Sequence, residues 1–299
     1  SPLAVHYNAN VTNQFIRDVP EMLWWQKILR PFLNLEDLSI LRRTNTFFQS
    51  YWESVLRQNV IRVPQGCPTV EKAMALAVVF SERKEYTEAD PLKVEMDKGV
   101  HEITDSNYVP DSEDKAEDDE EWEEDDGSHD KTMLVPCSHI TFVGKGKDQT
   151  TIRGGFFVRN QQNVKFEEMT VTNPVGCGME FHGSETNVEM LKCIVEECGN
   201  IGLLVIHGAT MTTTQCEFME NGGSGVFCCN APTKARLNDC KMHHNDGDGL
   251  VAYTGAVVDL HGTKTDIHSN TGDGILAVHR SKVNIHLPSQ HNTSHDNVG

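Results

Sequence analysis

Asn221-Gly-Gly-Ser-Gly225, Asn245-Asp-Gly-Asp-Gly249 and Asn270-Thr-Gly-Asp-Gly274 are three versions of one turn, and their spacing decides the fold. Glycine closes the same pattern at 178, 202, 225, 249, 274 and 299, at intervals of 24, 23, 24, 25 and 25 residues. An apolar stretch follows each of the first five: Met179–Phe181, Leu203–Ile206, Val226–Cys229, Leu250–Tyr253 and Ile275–Val278. Nine residues before those glycines stand Met169, Cys193, Cys216, Cys240 and Thr265; seven before stand Val171, Val195, Phe218, Met242 and Ile267. A period this short, with alternating apolar residues and Gly/Asn turns, is one coil of a parallel β-helix. A single coil cannot bury its own interior, so the core comes from stacking. Equivalent residues then lie about 4.8 Å apart and form ladders. The Cys193/Cys216/Cys240 column is expected inside as small core thiols, not as a metal site. The glycines and the turn asparagines are expected at corners that need a positive φ.

Upstream, His139-Ile-Thr-Phe-Val-Gly-Lys-Gly-Lys-Asp-Gln-Thr-Thr-Ile-Arg-Gly154 reads as one more strand–turn–strand coil. It closely resembles the first coils of pectin-lyase-like proteins. That resemblance implies a mainly β chain built as a right-handed parallel β-helix. Residues 69–81 carry helical apolar spacing in Val70, Ala73, Met74, Ala77 and Val78. They are expected to form a helix that covers the open first coil, whose strand edges would otherwise pair with other chains. Leu92–Met96 and Val100–Ile103 would then open the first coil. Between Asp111 and Asp126 stand twelve acids and one lysine, with Trp122 as the main apolar group. This run reads as a solvated, disordered insertion over about 104–131 at a coil corner. Long corner insertions are tolerated because closure entropy grows slowly with loop length. The last coil closes at Gly299 with no amphipathic segment after it, so the chain is expected to be a piece of a longer β-helix.

Residues 1–62 differ from the rest. Pro20 suits the first turn of a helix carrying Leu23, Ile28 and Leu29. Asn34 can cap a second helix with Leu38 and Leu41, and Phe47, Phe48, Tyr51 and Trp52 follow. About forty residues cannot bury so many large apolar groups internally, which points to a partner surface. The segment resembles the F-box in Pro20, Leu23, Ile28 and the run Phe32-Leu-Asn-Leu-Glu-Asp-Leu38, with Leu33, Leu35, Leu38 and Leu41 as partner-binding positions. Val19 stands where that family usually has Leu. An F-box (1–62) joined to β-helix coils (63–299) resembles the adaptors of ubiquitin ligases. The resemblance implies docking on a Skp1-like subunit of a cullin ligase, with the coils holding a substrate protein.

Composition narrows the remaining classes. A net charge of −18 argues against nucleic-acid binding, which needs a local surplus of Lys and Arg. No run of eighteen apolar residues exists, so no membrane-spanning helix is expected. Nine cysteines without a C-x-x-C pair suit reduced, buried thiols, and so a cytoplasmic or nuclear protein. No cofactor or metal is expected. His243 and His268 fall in one column, and Asp248 and Asp273 in another, but turn chemistry accounts for the Asp-Gly pairs.

The alternative is a carbohydrate-active β-helix enzyme, a lyase or epimerase. It needs clustered carboxylates with a base on one strand face. The strands after the closing glycines offer Glu180, His182 and Tyr253 among aliphatic residues, so no catalytic set is expected there. A third reading is a purely structural β-helix. On those strands, alternation sends the first and third residues inward. The outward positions then hold Leu204, Ile206, Phe227, Val251, Tyr253, Leu276 and Val278. A continuous apolar stripe of this kind marks a face that is covered or that binds a partner, and these seven are the expected substrate-binding residues.

Overall fold

Val171, Val195, Phe218, Met242 and Ile267, one from each repeat, occupy successive rungs of one sheet and are all closed to solvent. They come from a computed structural model that describes residues 59–65, 67–82, 84–104, 131–286 and 294–299. The F-box-like positions Pro20, Leu23, Ile28, Leu33, Leu35, Leu38 and Leu41 lie outside the described residues, as do 105–130 of the acidic insertion. All described residues belong to one compact unit, Asn59–Gly299.

Three parallel sheets run along that unit. Sheet 1 orders β1 (Val60–Val63), β2 (Leu92–Met96), β5 (Ile140–Val143), β8 (Val164–Glu167), β11 (Asn187–Leu191), β14 (Thr210–Thr214), β17 (Lys234–Asn238), β20 (Val257–His261) and β23 (Lys282–Ile285). Sheet 2 holds β3 (Gly99–Glu102), β6 (Thr150–Arg153), β9 (Thr170–Thr172), β12 (Ile194–Glu196), β15 (Glu217–Met219), β18 (Lys241–His243), β21 (Asp266–His268) and β24 (Ser294–His295). Sheet 3 holds β4 (Thr132–Leu134), β7 (Gly155–Arg159), β10 (Met179–His182), β13 (Leu203–Ile206), β16 (Val226–Cys229), β19 (Leu250–Tyr253) and β22 (Ile275–Ala277). The chain visits the sheets in the order 1, 2, 3 and returns, so each coil contributes one strand to each. About seven turns result. The acidic insertion separates β3 from β4, at a corner.

The ladder begins one rung before the expected first coil, because β1 already pairs in parallel with β2. Four residues next to a helical region carry too little period to show this in the sequence. Between β1 and β2 lies α1 (Val70–Ser81), with Thr69 as its N-cap accepting from the Lys72 amide at 3.4 Å. Its buried face is Val70, Ala73, Met74, Leu76, Ala77 and Phe80. Val78, expected on that face, is exposed at 42%. Glu71 Oε1 accepts from the Thr104 amide at 2.7 Å, which ties the helix to the chain just past β3.

The corner before sheet 3 departs from expectation. None of Gly178, Gly202, Gly225, Gly249 and Gly274 has a positive φ; the left-handed positions of that corner fall instead on Glu197, Glu220, His244 and Ser269, directly after the sheet 2 strands. Glycine is required there by crowding. A Cβ on Gly249 would stand 2.5 Å from Ile267 Cγ2 and 2.8 Å from Asn270 Nδ2. The crowding group is a buried asparagine ladder. Asn221 Nδ2 donates to Asn245 Oδ1, Asn245 Nδ2 to Asn270 Oδ1 and Asn270 Nδ2 to Asn297 Oδ1, each at 2.9 Å. Each side chain also donates to a carbonyl of the preceding coil: Asn221 to Val195, Asn245 to Phe218 and Asn270 to Met242. The amide has two donors and a two-lone-pair acceptor, so one side-chain type satisfies both neighbours in every coil.

The cysteine column is interior, as expected: Cys193, Cys216 and Cys240 are buried thiols. The Cys193 amide donates to Cys216 Sγ at 3.4 Å, and Cys240 Sγ lies 3.3 Å from Thr213 Oγ1. Burial pushes the Cys137 thiol up to about 11 and those of Cys198 and Cys228 up to about 12, and raises Cys216 and Cys240 as well. At neutral pH these are protonated core groups, poor as nucleophiles or metal ligands. Phe166 stacks on Phe142 with centroids 4.9 Å apart and lies 6.3 Å from Phe181, filling the earlier coils.

Candidate functional site

Strand alternation in sheet 3 sets two outward rows. Leu204, Phe227, Val251 and Leu276 are successive register partners in the first. Ile206, Tyr253 and Val278 belong to the second, with Cys229 opposite Tyr253. Leu204, Ile206, Phe227, Tyr253, Leu276 and Val278 are half-buried, whereas Val251 is closed to solvent at 2%. The Phe227 and Tyr253 rings lie 6.3 Å apart, and Tyr253 meets His279 edge-on at 4.6 Å. The expected inward partners Met179, Leu203, Val226 and Leu250 are buried. On the last rung Ile275 is only half-buried and Ala277 is exposed, because β22 is the edge strand of its sheet.

In earlier coils the same rows change character. Leu204 is preceded by Glu180 and Phe157, and Ile206 by His182 and Arg159. Glu180 is 3% exposed, with Oε2 3.6 Å from His182 Nε2, and the His182 ring packs edge-on against Phe157 at 4.6 Å. The face therefore runs from a buried carboxylate beside a half-buried imidazole to an aliphatic and aromatic strip.

Sheet 2 carries a polar constellation that the repeat reading passed over. His243 Nε2 lies 2.8 Å from Glu217 Oε1, and Lys147 Nζ lies 3.4 Å from Glu217 Oε2. Lys241 Nζ stands 4.0 Å from the same carboxylate. Burial raises the Glu217 carboxyl, but the His243 bond and the Lys241 and Lys147 charges outweigh it and leave its pKa below the usual value. His243, His268 and His295 stack with centroids 4.9 and 5.1 Å apart. The His243/His268 stack follows from their shared column. His295 and Glu217 were missed because they join only when β15, β18, β21 and β24 lie side by side. Asp248 Oδ1 accepts the Asp273 amide at 2.6 Å, an ordinary turn bond of the kind the Asp-Gly spacing implies.

The sequence profile described as "Right handed beta helix region" matches residues 140–294, more than half of the chain. The chain belongs to the right-handed β-helix family. Within this β-helix fold, three solved structures are similar to it. The Agl-KA catalytic domain is 14% identical with a TM-score of 0.45, covering 79% of this chain and 44% of that one. This chain thus spans less than half of the Agl-KA domain's length. The Azotobacter vinelandii mannuronan C-5 epimerase AlgE4 A-module is 14% identical with a TM-score of 0.44, covering 77% and 74%. ORF18 of Geobacillus virus E2 is 12% identical with a TM-score of 0.37, covering 81% and 62%. No curated protein matches the β-helix chain.

Proposed function

We propose that this chain is the substrate-recognition adaptor of a Skp1-cullin-type ubiquitin ligase, with an F-box that docks the ligase and a β-helix that holds a substrate protein. The observation that carries the reading is the F-box-like pattern from Pro20 to Leu41 joined to a stack of β-helix coils. The outward rows of sheet 3 support it. Leu204, Phe227, Tyr253 and Leu276 offer aromatic and aliphatic anchors, the groups that dominate protein interfaces. Affinity purification of the wild type from its native cells should recover a Skp1-like subunit, a cullin and a substrate protein. Changing Phe227 and Tyr253 to Ser should keep the ligase subunits, lose the substrate at least tenfold and leave the melting temperature unchanged. Absence of ligase subunits from the wild-type preparation would refute the adaptor assignment.

A second reading has its own observation in sheet 2. A carboxylate, an imidazole and two ammonium groups meet around Glu217, the kind of set that moves a proton beside an acidic sugar. A carbohydrate-active enzyme using this face should convert a uronate polymer, followed by sugar NMR, and lose at least a hundredfold in rate with Glu217→Gln. Failure to convert any of a panel of such polymers removes this reading.

A further inference from the structure

Sheet 1 ends in a set of donors that neither reading uses. Asp259 and His261 lie two residues apart on β20, so strand alternation points both side chains to the outer face. His286 follows β23 directly. Since Leu260 pairs with Ile285, His286 stands on the rung above His261. The two imidazoles stack with centroids 4.3 Å apart and planes 5° from parallel. One oxygen of Asp259 and one ring nitrogen of each histidine lie within 4.8 Å of one another.

We infer that Asp259, His261 and His286 form a binding site for a divalent transition-metal ion of the zinc type. Two imidazoles and a carboxylate are a set that suits zinc, and their borderline-soft nitrogens disfavour calcium or magnesium, which take oxygen ligands. Zinc bonds of about 2.0–2.1 Å bring donors to roughly 3.3 Å from one another. His286 Nε2 already lies 2.9 Å from Asp259 Oδ1, so the carboxylate must shift by a few tenths of an ångström to admit the ion, and His261 must turn out of its stack toward the other two. Little opposes that movement. The Asp259–His286 pair is about half exposed, with side-chain exposures of 37% and 49%, and ion pairs in such settings contribute little stability.

A further feature prepares the site. Asn284 Nδ2 donates to Asp259 Oδ1 at 3.0 Å and orients the carboxylate as an outer-shell partner does. Arg236 lies one rung below Asp259 and is the nearby charge that opposes a cation; its Nε donates to Asn238 Oδ1 at 3.2 Å. Three protein ligands leave at least one coordination position open for water or for a donor from a bound partner. The buried, raised-pKa thiols inside the coils do not compete for the ion.

The test is a titration of the tag-free, chelator-treated full chain with ZnCl2 by calorimetry and with CoCl2 by visible absorption. The expected result is one equivalent bound by the wild type, with affinity at least tenfold weaker in His261→Gln, His286→Gln and Asp259→Asn. His243→Gln/His268→Gln, which alters the sheet 2 column, should bind like the wild type. Far-UV circular dichroism should be unchanged in all variants, since none of these side chains belongs to the core. Absence of zinc binding by the wild type would overturn the inference. So would affinity that survives His261→Gln and His286→Gln together, binding lost in the sheet 2 variant, or CaCl2 binding as tightly as ZnCl2.

Discussion

Changing Leu35 and Leu38 to Ala is expected to abolish binding of a Skp1-like subunit. The two leucines fall in the Phe32–Leu38 run that resembles the F-box, and they are three residues apart, so a helix would place them on one face. Burying a leucine at an interface is worth about 1.5–3 kcal/mol, so losing both costs about 3–6 kcal/mol. That is roughly a hundredfold to ten-thousandfold in affinity. A pull-down or calorimetric titration with a purified Skp1-like subunit reads the effect directly. The β-helix of the double variant should keep the wild-type melting transition, because its core is supplied by separate coils. Undiminished binding with an intact fold would remove the adaptor reading and leave the acid–imidazole face of sheet 2 as the functional surface to pursue.

The second large effect concerns the asparagine ladder. Asn245→Ala should destabilise the β-helix by about 3–5 kcal/mol, since each buried polar group left without a partner costs about 1–3 kcal/mol. The substitution removes the acceptor of the Asn221 amide at 3.2 Å and of Asn221 Nδ2 at 2.9 Å. It also strips the Phe218 carbonyl of its 3.1 Å donor and Asn270 Oδ1 of its 2.9 Å donor. Set against a typical domain stability of about 5–15 kcal/mol, such a loss approaches unfolding. Urea denaturation followed by circular dichroism measures it. Asn187→Ala is the control: its exposed side chain donates only to Thr210 Oγ1, and the cost should stay within about 0.5 kcal/mol. A cost below about 1 kcal/mol for Asn245→Ala would mean that water replaces the ladder bonds and that the corner glycines alone set the turn.

Stacking coils confer cooperativity only between neighbours, so the position of a lesion decides how it is felt. Asn245 sits between coils on both sides, and its loss should loosen both. Changes at β22 or β23, where Ala277 and Ile285 are already exposed, should be tolerated far better.

The 23- to 25-residue interval of the closing glycines was enough, alone, to establish a stack of parallel coils, the inward columns and the interior thiols. Those features are periodic, and a period survives in one dimension. The reason for the glycines was not periodic. Gly249 carries no mark of whether it turns the chain or makes room, and only the position of Asn270 and Ile267 in the next coil showed that a Cβ would collide. The same holds for the polar faces. Glu217 and His243 are 26 residues apart and His261 and His286 are 25 apart, each close to one coil, yet these pairs sit among other acids and histidines at similar separations. Sequence alone placed residues in rows. Which rows face outward together, and which side chains reach one another across about 4.8 Å between rungs, was decided by the folding of each coil into three sheets.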